Sequence, residues 1–323
     1  MISRRLLRIK ALITLYAYNR KDSGNLKAAE EELILSIKKS YDLYHLLLLL
    51  LIDIFNIAEE KIEIARQKKI PSEEDLNPNT KLIKNRLFRQ LEQNVSLKKY
   101  CKSAHLSWHQ HDNVPRRYYS LLISSDIYKK YMNSGNNSYS EDKKLISGLF
   151  NIILSESEYL ESALEEISIY WNDDLDFISI MIEKTFRRFK ENSDASLSLM
   201  ELYRSDEDEI FVRTLLRKTI LKKEFLTDLI DRNTTNWEIE RVALMDTLVM
   251  QLAICEVIEF TEIPVKVSLN EYIEIAKFYC TSKSSNFVNG ILDKIVKEMR
   301  EQDVFQKRGR GLVGEPGFEE TKQ

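Results

Sequence analysis

Apolar residues recur at helical spacing along almost the whole chain, and this periodicity most constrains the fold. In residues 287–299 the apolar side chains fall on one helical face, and Asn289, Lys294, Lys297 and Glu298 fall on the other. Glycine and proline, which turns require, occur only 8 and 5 times in 323 residues. No segment alternates convincingly between apolar and polar residues. The sequence therefore predicts an all-α fold of long helices with short connections.

The predicted helices are separated by short polar or proline-containing segments. Before the last one they cover Ser3–Tyr18, Leu26–Gln67, Lys81–Ser107, Arg116–Tyr131, Glu141–Tyr170, Leu175–Lys190, Asp206–Arg232, Trp237–Glu259 and Val265–Tyr279. A break of the second helix near Ser40 is an open alternative. The most apolar run, Leu46–Ile52, is far shorter than the roughly 20 residues of a membrane span. We therefore expect a buried helix in a soluble, cytoplasmic protein without membrane contact.

Charge is segregated along the chain. Residues 81–130 hold 11 basic and 3 acidic side chains, whereas residues 131–185 hold 3 basic and 11 acidic ones. Two interpretations stay open for this middle region. The two blocks pair inside the fold, or the basic block, where Lys98, Lys99, Arg116 and Arg117 are interleaved with aromatic residues, contacts a nucleic acid.

The first predicted helix is the best candidate for a binding element. It carries Arg4, Arg5, Arg8 and Lys10 and no acidic residue, and Tyr16 follows on the same helix. Arginine forks bind phosphates in a bidentate manner, and aromatic rings stack on unpaired bases. The helix is therefore a candidate to bind single-stranded RNA, with an ordinary exposed basic helix end as the alternative.

Cys101, His105 and His109 would share one helical face and are the candidate ligands of a metal site. Zinc takes such ligands, but two four-residue steps along a helix separate the outer two by about 12 Å. We therefore expect no metal ion. The sequence also lacks the glycine-rich phosphate-binding and nucleophile motifs of common enzymes, so it predicts a non-enzyme without cofactors.

Three clusters of residues follow one another in residues 237–296. The first is a helix with Glu240, Leu248, Ala253 and Glu256, the second is a proline-led helix, and the third is a Phe-Val-Asn-Gly segment. The last two clusters are Pro264, Lys266, Val267, Asn270, Glu271, Glu274, Ala276 and Lys277, and Phe287, Val288, Asn289, Gly290, Leu292, Asp293 and Lys294. In this order and spacing the clusters resemble the C-terminal half of NusB proteins. The segment 3–20 is similar to the arginine-rich first helix of that family.

The resemblance implies a NusB-like helical bundle of two subdomains. It also implies a factor that binds boxA-type RNA with the small-subunit ribosomal protein NusE and acts on RNA polymerase to control termination in ribosomal RNA operons. Carried over by position, Arg4, Arg5, Arg8 and Tyr16 would contact RNA, and Lys283 would lie near RNA or the partner protein. A non-catalytic scaffold in ribosome assembly is the alternative.

The resemblance also divides the chain. Residues 1–20 would form the first helix of the NusB-like domain, and residues 201–303 its C-terminal part. Residues 21–200 would be a large helical insertion or an extra helical domain. Half of all glycines fall at Gly309, Gly311, Gly314 and Gly317, so residues 304–323 are predicted to be a disordered tail.

Overall fold

In the computed structural model the chain is described over residues 1–21, 24–234, 243–281 and 284–315, and it divides into two compact units. The insertion unit comprises Met1–Ile2 and Lys38–Leu202, and the terminal unit comprises Ser3–Ile37 and Tyr203–Gln323. The described residues form fifteen α-helices and no β-strand. This confirms the all-α prediction.

The terminal unit is built around one fully enclosed helix. It contains the first turns of α2 (Leu26–Arg66) and six further helices: α1 (Arg4–Asn19), α11 (Asp206–Leu221), α12 (Lys223–Asn233), α13 (Leu244–Glu259), α14 (Val265–Tyr279) and α15 (Ser284–Glu301). Helix α13 contacts α1, α11, α12, α14 and α15, and nearly all its residues from Leu248 to Val257 are buried. A helix that is apolar on every side lies where a core surrounds it.

The insertion unit contains the rest of α2 and eight shorter helices. They are α3 (Glu73–Leu76), α4 (Arg86–Gln93), α5 (Val95–Ser103), α6 (Asn113–Ser124), α7 (Asp126–Asn133), α8 (Tyr139–Ser155), α9 (Ser157–Ile167) and α10 (Leu175–Arg188). Fully buried aromatic side chains, among them Trp108, Phe88 and Phe150, fill its core. The indole nitrogen of Trp108 donates to the Leu46 carbonyl of α2 at 2.9 Å.

Helix α2 is continuous over 41 residues, so the alternative break near Ser40 is absent. The Ser40 hydroxyl instead donates to the Asp174 carboxylate at 2.5 Å. By length and composition α2 is able to cross a membrane, but 72% of its most apolar stretch is buried inside the structure. That burial is typical of a core helix. Its first turns, up to Ile37, belong to the terminal unit, so the units divide at a different point from the predicted boundary at residue 21.

Several of the long helices predicted from the sequence are divided into two shorter helices in the structure. The predicted helix Lys81–Ser107 is interrupted at Asn94, and Arg116–Tyr131 is interrupted at Ser125. Both residues are extended, and their side chains accept from the amides of Leu97 and Tyr128 in the helix that follows. Asn and Ser side chains compete in this way with continued helix formation. Apolar periodicity alone does not reveal such breaks, because it persists through them.

The segment 304–315 packs against α13 and α15, and the disordered tail expected over residues 304–323 stays a prediction. The Lys307 ammonium donates to the carbonyls of Val257 and Phe260 at 2.9 and 3.0 Å, at the end of α13. The Arg300 guanidinium pairs with Glu315 at 2.8 Å. Lysine at a helix C-terminus satisfies carbonyls that have no helical partner, which gives this glycine-rich segment a fixed course. Residues 316–323 lie outside the described residues.

Candidate nucleic-acid interface

Helix α1 begins as its sequence predicts. Ser3 is extended and its hydroxyl accepts from the amide of Leu6, which is an ordinary N-cap. The apolar residues Leu6, Leu7, Ile9, Leu12 and Leu15 are buried against the terminal unit. This burial fixes the rotation of the helix and therefore decides where its cationic side chains lie.

Arg8 lies inside the terminal unit. Its side chain is 3% exposed and forms two hydrogen bonds with Glu256, at 2.8 and 2.7 Å, and the Glu256 side chain is 0% exposed. Glu256 also accepts from the hydroxyls of Ser268 at 2.7 Å and Tyr272 at 3.0 Å. Burial opposes the charge of Arg8, but the hydrogen bonds and charge of Glu256 raise its pKa overall. The Arg8 guanidinium is therefore enclosed and already paired, and the expected contact of Arg8 with RNA stays a prediction.

Arg5 and Arg4 are engaged at the edge of the same unit. Arg5 forms a bidentate pair with Glu271, at 2.9 and 2.8 Å, which raises the Arg5 pKa and lowers that of Glu271. The Arg4 Nε donates to Asp208 at 3.0 Å. Their side chains stay 40% and 41% exposed, respectively. Each joins α1 to another helix of the unit and still presents a partly exposed cation to solvent.

Lys10 also faces inward. It is 4% exposed, so its ammonium is withheld from a surface ligand. The expected role of Lys10 in RNA binding likewise stays a prediction. Lys283 lies outside the described residues, so its expected role stays a prediction.

The accessible cations lie at the other end of α1. Tyr16 is half-buried, and the Arg20 guanidinium stands 5.6 Å from the centre of its ring. Lys223, at the start of α12, donates to the Asn19 side chain at 2.7 Å. Arg20, Lys21 and Lys223 are all exposed. We call Tyr16, Arg20, Lys21 and Lys223 the α1-end patch.

The α1-end patch has the chemistry of a single-strand contact, with three exposed cations and one half-buried aromatic ring, which Arg20 covers. The sequence alone assigned no site to Arg20. A signal was present, because Arg20 and Lys21 follow directly after the Tyr16 segment. Nothing in the sequence indicated that Lys223 belongs to this patch, since only the fold brings Lys223 next to Asn19 at the end of α1.

Three of the aromatic residues in the basic segment of the insertion unit are buried or already engaged. Trp108 and Tyr118 are buried, and Tyr100 donates to Asp42 at 2.7 Å. Arg116 pairs with Asp112 at 3.2 Å, and Arg117 reaches Glu156 at 3.8 Å.

Three ion pairs join the basic block to the acidic block. They are Arg117–Glu156 at 3.8 Å, Lys81–Glu141 at 3.5 Å and Arg86–Asp142 at 2.7 Å. The internal-pairing interpretation therefore accounts for part of the charge segregation. Stacking of bases on the interleaved aromatic rings is excluded for Trp108 and Tyr118, because core residues already cover them.

The expected helical row of Cys101, His105 and His109 is not formed. Helix α5 ends at Ser103, His105 has a left-handed backbone with φ of 54°, and His109 begins a short 3-10 helix. Burial raises the pKa of the Cys101 thiol to about 11, which keeps it protonated and a poor metal ligand. Within the described ranges no group of three or more His, Cys, Asp or Glu residues is placed to hold a metal ion.

Comparison with known proteins locates the similarity in the second half of the chain. The model of the NusB family matches residues 174–297. Three relatives carry the name Transcription antitermination protein NusB. They come from Salinibacter ruber (39% identical over 128 residues), Chloroherpeton thalassium (42% over 110) and Alkaliphilus oremlandii (37% over 93).

The matched regions make up 38%, 34% and 29% of this chain and 80%, 52% and 67% of the respective relatives. No solved structure matches the chain. The similarity therefore covers most of the Salinibacter ruber protein and leaves more than half of this chain without a counterpart in it.

Proposed function

The chain belongs to the NusB family, and from that premise we propose that it is a non-catalytic, RNA-binding transcription antitermination factor of the cytoplasm. In this proposal it binds boxA-type single-stranded RNA together with the ribosomal protein NusE and acts on RNA polymerase during ribosomal RNA transcription. The observation that carries the proposal is the 39% identity to an antitermination protein over 128 residues. Helix α1, outside the family-model match, supplies the remaining part of the proposed interface.

The proposed RNA surface is the α1-end patch, with Arg4 and Arg5 as partly exposed contributors. Arg20 and Lys21 approach the phosphates, and Tyr16 offers the edge of a ring to an unpaired base. Arg8 acts indirectly, because its pair with Glu256 holds α1 in the rotation that exposes the patch. Lys283 is retained as a proposed contact of RNA or NusE on the strength of the family resemblance.

The test is fluorescence anisotropy of a labelled boxA RNA across a salt series, with and without NusE. The patch variant is Arg20→Ala/Lys21→Ala. The matched control is Lys294→Ala/Lys297→Ala, which also removes two exposed cations from the terminal unit, on α15. Each phosphate contact on a single strand contributes about 0.7 to the slope of log affinity against log salt. The patch variant should therefore lose about 1.4 of slope, and the control should keep the wild-type slope.

Two other outcomes are informative. If both variants weaken binding equally, the RNA responds to net charge only, and the patch is not its site. If the wild type binds neither boxA RNA nor NusE-loaded RNA, the scaffold in ribosome assembly becomes the better proposal. The pairing of Arg4, Arg5 and Arg8 with carboxylates of the same unit supports that alternative, because these pairs explain the three arginines by folding alone.

A further inference from the structure

A cationic cleft lies on the insertion unit, and most of its lining residues precede the region that the family model matches. It has a volume of about 740 Å³ and is bounded by α7, α8 and the residues that end α10. Its charged lining residues are Lys143, Lys144, Arg187, Lys190 and Glu191. We call this feature the α8 cleft.

The carboxylate in the α8 cleft is paired from outside it, because Glu191 contacts the guanidinium of Arg86, a cation that Glu191 shares with Asp142. Lys144 and Lys190 are exposed, and neither has an ion-pair partner among the described residues. Arg187 reaches Glu183 only at 3.6 Å, and its side chain is 78% exposed. The cleft therefore presents three mobile cations that protein carboxylates satisfy weakly or not at all.

Lys143 is different, because its position is fixed. Its ammonium donates to the Phe189 carbonyl at 3.0 Å and lies 5.8 Å from the centre of the Tyr139 ring. Partial burial lowers its pKa, which means that water and neighbouring groups compensate its charge poorly. An anion in the cleft would supply that compensation.

Helix α8 sets the length of the cleft. Ser140, Lys144, Ser147 and Asn151 follow one another at steps of three or four residues, so they form one stripe along the helix. With a rise of 1.5 Å per residue this stripe is about 16 Å long. Cations, hydroxyls and an amide in a row suit a ligand with several successive anionic groups better than a single small anion.

The nearby acidic side chains are used elsewhere. Glu141 lies 3.5 Å from Lys81, and Asp142 forms a 2.7 Å pair with Arg86. Helix α8 is therefore divided lengthwise, with acids paired on one side and cations in the cleft on another. The net charge of −8 over residues 131–185 conceals this division.

We propose that the α8 cleft binds consecutive phosphate groups of single-stranded RNA, which gives the insertion unit an RNA contact of its own. The aromatic residues Tyr139 and Phe189 in its lining are buried, so they do not form a stacking platform, and the contact is to the backbone. The choice of RNA over another polyanion rests on the proposed function. The cleft itself rests on geometry and charge alone.

The test compares Lys144→Glu/Lys190→Glu with Lys61→Glu/Lys69→Glu in the full chain. Both variants reverse two exposed lysines of the insertion unit, and only the first pair lines the cleft. We expect the cleft variant to bind a labelled single-stranded RNA about tenfold more weakly at 0.1 M salt, with about 1.4 less salt slope. The control should match the wild type. Equal weakening of both variants would reduce the effect to net charge and overturn the proposal.

A second measurement locates the contact directly. Thiouridine-substituted RNA is cross-linked to the wild type, and the cross-linked peptides are identified by mass spectrometry. Cross-links to residues 139–151 or 187–190 support the cleft, and their absence overturns it even if residues 16–21 are cross-linked. That last pattern would leave the α1-end patch and the proposed function intact, so the two failures are distinguishable.

Inorganic phosphate separates a backbone site from a site for a free anion. It is titrated into the RNA complex, and sodium chloride of equal ionic strength serves as the control. Equal displacement by the two salts is expected for a site that reads several phosphates at once. Selective displacement by phosphate would identify a small-anion pocket and refute the RNA assignment.

Discussion

The buried pair of Arg8 and Glu256 allows the sharpest test of how α1 is held. Glu256 receives two hydrogen bonds from Arg8 and one each from Ser268 and Tyr272, and no part of its side chain is exposed. Arg8→Met would leave an enclosed carboxylate with two neutral donors. Removing one partner of a buried ion pair costs about 3–5 kcal/mol. We expect a loss of that size in the free energy of unfolding of the terminal unit.

Glu256→Gln makes the complementary change. The amide keeps an oxygen for Ser268 and Tyr272, and Arg8 retains only the more distant Glu271, at 3.7 Å. The double variant Arg8→Met/Glu256→Gln contains no charge at this position. Its loss should therefore be smaller than the sum of the two single losses by about 2 kcal/mol, because each single loss counts the charge left unpaired.

Hydrogen exchange of peptides from α13 and α14 measures these free energies locally. A local probe is required because the chain has two compact units and a single global transition need not describe it. Single-variant losses below about 1 kcal/mol, or losses that add to within about 0.5 kcal/mol, would refute the reasoning. The folded double variant should also bind RNA like the wild type. Weaker binding by that variant would return Arg8 to the RNA surface.

Three further predictions concern other buried polar groups. His45 is buried, which lowers its pKa to about 4, whereas Asp53 is partly buried, which raises its pKa to about 6. Between pH 6.5 and pH 4 the unfolded chain binds a proton at His45 and the folded chain does not, so His45 lowers the stability of the insertion unit as the pH falls. Between pH 3.8 and pH 6 the unfolded chain loses the proton of Asp53 and the folded chain keeps it, so Asp53 lowers the stability of the insertion unit as the pH rises. In the wild type the two trends nearly cancel. In urea titrations between pH 4 and pH 6, Asp53→Asn should lose more unfolding free energy towards acid than the wild type, and His45→Phe should lose less. Equal slopes of unfolding free energy against pH in all three proteins would contradict this. Lys307→Met should abolish exchange protection of residues 304–315 and leave α1 protected, whereas retained protection would show that other contacts hold the segment. Asn85→Ala removes a buried N-cap that accepts from two amides of α4, and should lower the stability of the insertion unit by about 2–3 kcal/mol in urea unfolding, against about zero for an exposed control, Asn136→Ala.

Local rules were enough for the helical architecture of the terminal unit. The predicted helix Val265–Tyr279 has the observed ends, because Pro264 precedes it and the chain turns extended at Cys280. Helix α1 agrees with its prediction to within one residue at each end. In both cases apolar periodicity and capping act on the same short stretch, so neighbouring residues contain the necessary information.

The helix breaks within the insertion unit could not be predicted from the sequence alone. Asn94 and Ser125 cap new helices in the middle of uninterrupted apolar periodicity. Whether such a side chain caps a helix or faces solvent within one depends on what the following helix packs against. The end of α5 at Ser103 also depends on tertiary packing. Because the helix ends there, Cys101 does not share a helical face with His105 and His109, as it would on a longer helix.

The sequence by itself determined that the chain is helical, that it belongs with NusB proteins, and that α1 is basic. Only the tertiary structure decided which cations are available to a ligand. Arg8 and Lys10 are turned inward because the apolar face of α1 sets its rotation, and Glu256, 248 positions away, receives Arg8. Lys144 and Lys190 are 46 positions apart in sequence and meet in one cleft. Charge counted along a sequence is a local quantity, whereas exposure and pairing depend on residues that only the fold brings together.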